Sequence, residues 1–113
     1  MKHRNSIETW NAAPPAFSNS TPVSYNLSSS ITQAYGSNLK QLTSLVPKFA
    51  VYSGDENQNG IINLSDVVNV SNEASSFTSG YVSSDMNGDN ITDLSDLVLT
   101  SNNASAFVNN LTP

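Results

Sequence analysis

The sequence predicts an α+β chain: a short β-rich N-terminal segment, residues 1–53, followed by a two-repeat loop–helix module, residues 54–113. Three observations predict it. Val23, Tyr25 and Leu27 alternate with Ser24 and Asn26, the period of two that places apolar side chains on one face of a strand. Two oxygen-rich loops begin at Asp55 and Asp85, 30 residues apart. After each loop the same residues return. Leu64-Ser65-Asp66 matches Leu94-Ser95-Asp96, Val68 matches Val98, Ser71-Asn72 matches Ser101-Asn102, and Ala74, Ser75 and Phe77 match Ala104, Ser105 and Phe107. A match that extends beyond the loops marks duplication of a whole structural unit.

The first half reads as strand and loop. Ser6 to Trp10 is one strand candidate, closed by Pro14-Pro15, which cannot donate to a ladder. Val23 to Leu27 is a second, and Lys48 to Tyr52, ended by Ser53-Gly54, is a third. Ile31 to Leu45 carries no clear period and is broken by Gly36. Three short strands bury too little surface to fold alone. The segment is therefore expected to end an upstream β-sandwich-like domain, or to pack on the repeats. Trp10 and the tyrosines at 25, 35, 52 and 81 are expected in the core, the alternative being a sugar-stacking face.

The second half reads as two loop–helix units. Ser65 and Ser95 are expected as helix N-caps, with Asp66 and Asp96 in first turns where the helix dipole favours negative charge. Leu64, Val67, Val68 and Ser71 share one helical face, as do Leu94, Leu97, Val98 and Ser101. Val, Asn, Ser and Thr are poor helix formers, so these helices need outside support. Residues 74–81 form the linker, turning at Ser79-Gly80.

The loops supply a chemistry. The first places oxygen side chains at Asp55, Asn57, Asn59, Asn63 and Asp66, with Ile61 offering a backbone carbonyl. The second repeats this at Asp85, Asn87, Asp89, Asp93 and Asp96, with Ile91 in the carbonyl position. Loop positions 1, 3, 5, 7, 9 and 12 are those through which an EF-hand-type loop wraps calcium, a hard cation that takes about six to eight oxygens. Asp, Asn and Gly gather in any turn, which explains one such loop but not two in register. Two calcium ions are expected.

Composition agrees with that need. The chain has 113 residues, 37% hydrophobic, and about a third of it is Ser or Asn. A chain of this size buries only about two-thirds of its unfolded surface, and metal would supply stability that the core lacks. Lys2, Arg4, Lys40 and Lys48 all precede residue 49, while eight of the nine acids follow residue 54. The halves carry about +3 and −8, which leaves the repeats self-repelling without a counter-cation. There are no cysteines, so disulfides, thiolate metal sites and cysteine nucleophiles are excluded.

The paired loop with one trailing helix resembles the dockerin type I repeat, over residues 54–113. That resemblance implies two F-hand units packed with pseudo-twofold symmetry. It implies calcium ligation by the twelve residues just named, and a cohesin-like β-sandwich protein as partner. Loop positions 10 and 11, here Leu64-Ser65 and Leu94-Ser95, are the partner-binding pairs it implies. The basic residues that follow them in the family are absent, and Asn72, Glu73, Asn102 and Asn103 stand there instead. Lys2 to Trp10, Ala13-Pro14 and Val51 to Asp55 are similar to segments preceding such tails in large bacterial secreted and surface proteins. The first loop has only two carboxylates at its ligand positions and the second has four, so the second is expected to bind calcium more tightly.

Other function classes fit poorly. His3 is the only histidine and lies near the terminus, so no nucleophile–histidine or histidine–metal constellation can be assembled. No enzyme is expected. No basic face exists to neutralise phosphates, so nucleic acid is not expected either, and no apolar run reaches the roughly 18 residues of a membrane span. A Ser/Asn-rich, cysteine-free chain suits an extracellular or cell-surface setting, with the leader elsewhere in a longer secreted protein. The expected function is non-catalytic: a calcium-binding module attaching its parent to a protein partner. The alternative is a calcium-stabilised C-terminal spacer or end-cap of a surface adhesin or hydrolase.

Overall fold

The computed structural model describes all 113 residues. Two single-turn 3-10 segments (Ile31–Gln33 and Tyr35–Ser37) precede strands β1 (Lys40–Gln41) and β2 (Phe49–Ala50), then helices α1 (Leu64–Ser75) and α2 (Leu94–Ser105). This is a mixed α+β chain with its strands ahead of its helices. Two compact units divide it: Met1–Glu8 with Tyr52–Asn110, and Thr9–Val51 with Leu111–Pro113. Residues 1–8, read from sequence with the β-rich segment, lie in the helical unit. No helix is long and apolar enough to cross a membrane.

The two helices begin and end alike. The N-cap of α1 is Asn63, whose side chain accepts from Ser65 N at 2.8 Å while Asp66 accepts from Asn63 N at 3.0 Å. Asp93 and Asp96 repeat this reciprocal capping box at α2. The caps thus fall two residues before Ser65 and Ser95, which lie inside the first turns. The ninth loop residue is the one with extended backbone, φ −143° at Asn63 and −140° at Asp93, and a cap requires that conformation. At the other end, Thr78 N donates to Glu73 O and Phe77 N to Ala74 O. Val108 N and Phe107 N do the same with Asn103 O and Ala104 O. These are Schellman closures with a phenylalanine in the left-handed position, φ 48° at Phe77 and 53° at Phe107.

The helix faces differ from the expected ones. Asp66 and Val70 are the buried residues of α1, and Asp96, Thr100 and Asn103 those of α2. Leu64, Val68, Leu94 and Val98 are exposed, while Val67, Ser71, Leu97 and Ser101 are half-buried. The reason is geometric. Asp66 must turn inward to satisfy loop amides, and at about 100° per residue both neighbours two positions away point to the opposite side.

Reciprocal pairing joins the repeats. Ile62 N donates to Val108 O at 2.9 Å and Thr92 N to Thr78 O at 2.7 Å, beside bridges Ile61–Asn109 and Ser79–Ile91. Each loop is laced to the chain that follows the other helix, and a shift of 30 residues exchanges the two pairings. That exchange is a pseudo-twofold relation. The core holds Ile7, Ile62 and Val108, with Tyr52 and Ala104 against it. Where the first repeat buries Ile62 and Val70, the second buries Thr92 and Thr100. Their hydroxyls are satisfied, Thr92 with Ser84 at 2.8 Å and Thr100 donating to Asp96 O at 3.0 Å. Gly54 enters this core at φ 118°, where a Cβ would stand 3.1 Å from Ile62 Cγ2 and 3.3 Å from Thr100 Cα. Only glycine serves there.

The second unit is a short hairpin with loops around it. Lys40 pairs with Ala50 and Gln41 with Phe49, antiparallel, and Leu42 N donates to Lys48 O at 2.8 Å. Of the expected strand over 48–52, only Phe49–Ala50 pairs in a ladder. Val23 to Leu27 is not a strand, because Asn26 Oδ1 accepts from both Ser28 N and Ser28 Oγ and turns the chain. Ser6 to Trp10 makes only the single bridges Ser6–Ser53 and Thr9–Leu111, each within its own unit. The aromatics also differ from expectation: Trp10 and Tyr35 are exposed, and Tyr81 is more exposed still.

Candidate metal centre

Each loop is a cage of backbone amides closed on two aspartates. In the first, Asp55 Oδ1 accepts from Asn59 N and Oδ2 from Gly60 N, both at 3.0 Å. Asp66 Oδ1 accepts from Glu56 N at 3.0 Å and Asn57 N at 3.3 Å, and Oδ2 from Asn63 N. In the second, Asp85 accepts from Gly88 N at 2.7 Å and Asn90 N at 3.0 Å. Asp96 accepts from Met86 N, Asn87 N and Asp93 N at 2.7–3.0 Å. The four aspartates are all buried.

The remaining side-chain donors follow the same pattern. Asn57 Oδ1 accepts from Asn59 N, and Asn59 Oδ1 from Ile61 N. Asn87 Oδ1 accepts from Asp89 N, and Asp89 Oδ1 from Ile91 N. Asn63 and Asp93 are occupied as caps. The cross-repeat pairing runs through Gly60 O, Ile62 N, Asn90 O and Thr92 N. It therefore uses neither the N–H nor the carbonyl of Ile61 or Ile91, which agrees with a carbonyl left for a ligand at position 7.

No group of three or more His, Cys, Asp or Glu side chains is gathered where it would hold a metal ion. In the first loop only Asp55 and Asp66 carry charge at the ligand positions, and the rest are amides. In the second, Asp89 is exposed and its Oδ2 accepts from Asn87 Nδ2 at 3.0 Å. The fit to a hard cation rests on the chemistry of the donors and on the burial of Asp55 beside Asp66. Burial raises the Asp55 carboxyl above its ordinary range and the nearby Asp66 charge adds to this, against bonds from Gly60, Asn59 and Gln58. A pKa raised on folding means that ionising the group costs the fold; the cost is absent at low pH and is complete above the raised value. A bound cation would remove it. All-oxygen donors around two buried neighbouring carboxylates therefore fit such an ion.

Both loops turn twice through left-handed backbone. Positive φ at loop position 6, expected from sequence, is found at Gly60 (87°) and Asn90 (76°). Position 4 needs it too, at Gln58 (61°) and Gly88 (82°). A Cβ on Gly88 meets nothing within 4 Å, so its demand is purely conformational. Gly88→Ala is expected to cost about 1 kcal/mol and Gly88→Asn less, since Asn enters this region more readily. Urea denaturation of both variants checks this, and equal losses would contradict it.

The expected partner-binding residues lie on the surface. Leu64 is 72% exposed and Leu94 70%. Ser65 Oγ accepts from Asn57 Nδ2 at 2.9 Å, tying the helix start to the first loop. Beside Leu64 an open groove of about 570 Å³ is lined by Ile61, Val67, Ala104 and Phe107. Sequence reading gave no role to Phe77 and Phe107, 68% and 86% exposed, although their duplication was visible. No family model matches the chain, and no curated protein or solved structure matches it.

Proposed function

We propose that the chain is a non-catalytic calcium-binding attachment module, in which two ions order the loop–helix pair and a cohesin-like β-sandwich partner reads its exposed helix starts. One observation carries the reading: the loops that share an oxygen spacing in sequence repeat their amide-to-aspartate bonds, bond for bond at Asp66 and Asp96 and, at Asp55 and Asp85, in the bond from the sixth loop residue. The setting is extracellular, where calcium is abundant. Leu64-Ser65 and Leu94-Ser95 fall on quasi-equivalent exposed turns, so a partner can engage either one. Titration against purified cohesin-type modules, with calcium and with chelator, tests this. Changing Ser65 alone to Asp should weaken binding only about twofold, because one of two equivalent orientations remains. Changing Ser65 and Ser95 together should abolish it. Absence of binding to any such module would favour the spacer or end-cap reading.

Phe107 lines the groove beside Leu64, and Phe77 holds the matching position after α1. A bulky residue in left-handed backbone costs on the order of 1–2 kcal/mol, and neither ring recovers that by burial. Phe107→Gly is expected to raise stability by roughly 1 kcal/mol while weakening partner binding, read by thermal melting and calorimetry. A destabilised Phe107→Gly would contradict the assignment.

A further inference from the structure

The N-terminal segment reaches both loops of its own unit. Asn5 O accepts from Gly54 N at 2.8 Å, and Asn5 Nδ2 donates to Asp85 O. His3 O accepts from Gln58 Nε2 in the first loop. Ile7 N donates to Tyr52 O at 3.0 Å, which anchors the segment on the core. Arg4 is placed with greater specificity than a surface arginine needs. Its Nε donates to Val82 O at 3.0 Å, its guanidinium lies 3.9 Å from the Tyr81 ring centroid, and Nη2 stands 3.7 Å from Asp85 Oδ2.

Three contacts on one guanidinium fix where its charge points. It points at Asp85, the first ligand position of the second loop. Asp85 is nearly fully buried, and the Arg4 side chain is about one-fifth exposed, so the pair is only partly screened. The first loop has no such arrangement. Asp55 feels Asp66 rather than a cation, and the residue 30 positions before Tyr81 is Val51, which cannot stack a guanidinium.

We infer that Arg4 is a built-in competitor for calcium at the second loop: it neutralises Asp85 in the metal-free chain and repels an ion that arrives there. This rests on the calcium reading and adds an affinity-setting residue to it. Four acidic ligand positions alone would make the second site the tighter one. Arg4 narrows or reverses that order, leaving the first loop to its two carboxylates. Coupling is reciprocal, so calcium at Asp85 must weaken the Arg4 contact by the factor that Arg4 weakens calcium. The N-terminal segment is thereby looser in the calcium-loaded protein than in the metal-free one.

Calcium calorimetry on the full chain, on Arg4→Met and on Arg4→Lys tests this, with melting in chelator as a second readout. Arg4→Met should tighten one of the two sites by about fivefold, the lower end of common coupling factors for a partly exposed pair. It should leave the other site unchanged and lower the metal-free melting temperature. Arg4→Lys keeps the charge but loses the contacts that aim it, so its affinity at that site should fall between those of the parent chain and of Arg4→Met. A merely structural arginine would make Met and Lys behave alike, and that outcome overturns the inference. So does a parent chain that binds two ions with affinities unmoved by Arg4→Met. If neither parent nor variant binds calcium, the calcium reading fails instead and the competition falls with it. Should Arg4→Met not fold, amide exchange of residues 3–8 in the parent chain decides. Faster exchange with calcium supports the competition, and slower or equal exchange overturns it.

Discussion

Asp96→Ala is expected to be the most damaging single substitution in the helical unit, costing roughly 3–5 kcal/mol without metal and abolishing calcium binding at the second loop. The carboxylate is fully buried and accepts from three backbone amides, Met86 N, Asn87 N and Asp93 N. Alanine leaves those donors without a partner in a site that water reaches poorly, at about 1–3 kcal/mol each before relaxation. The loss also opens the α2 capping box, because the bond to Asp93 N is half of it. Asn63→Ala removes the cap acceptor of Ser65 N and of the Asp66 amide, at a half-buried position near solvent, and should cost about 1 kcal/mol. Urea denaturation in chelator gives the first comparison and calcium calorimetry the second. Asp96→Asn is the informative intermediate. It keeps one acceptor but sets an amide NH2 against backbone N–H groups, so it should resemble alanine more than the parent. Equal losses for Asp96→Ala and Asn63→Ala would show that the aspartate does not organise the loop.

Much of the helical unit was legible because duplication doubles a weak signal. The boundaries near residues 64 and 94 and the left-handed backbone at Gly60 and Asn90 follow from loop residues whose spacing fixes their task. The helix faces were not legible in the same way. A hydrophobic period puts Leu64 and Val68 inside, whereas the demand of the loop amides for Asp66 turns the helix by about a third of a revolution, onto Asp66 and Val70. Polar satisfaction outweighed apolar burial, since unpaired buried amides cost more than an exposed leucine. The second repeat carries Thr92 and Thr100 where the first has Ile62 and Val70, which hid its core from any count of apolar residues.

The β-rich half was harder to read. Alternation at Val23 to Leu27 is a genuine strand pattern, yet Asn26 bonding to Ser28 offers the backbone a competing turn. The contribution of residues 3–7 to the helical unit could not be foreseen, because bonds such as Asn5 to Asp85 span 80 positions and leave no periodic trace. In the candidate site, the repeated spacing of oxygen side chains was visible, but the Arg4–Asp85 pair and the exposure of Phe77 and Phe107 were not. They depend on how the chain returns on itself.

The central claim is that two calcium ions order the helical unit. A site held at a calcium concentration about 100 times its dissociation constant contributes about 2.7 kcal/mol, and two independent sites about twice that. That sum is comparable to the whole stability of a domain this small. The most direct measurement is a calcium titration of chelator-treated protein, followed together by helical circular dichroism and calorimetry. The account predicts a gain in helical signal, a rise in melting temperature and a stoichiometry of two, with magnesium much less effective because it demands a tighter octahedral shell. Identical spectra and melting temperatures with calcium and with chelator would contradict it.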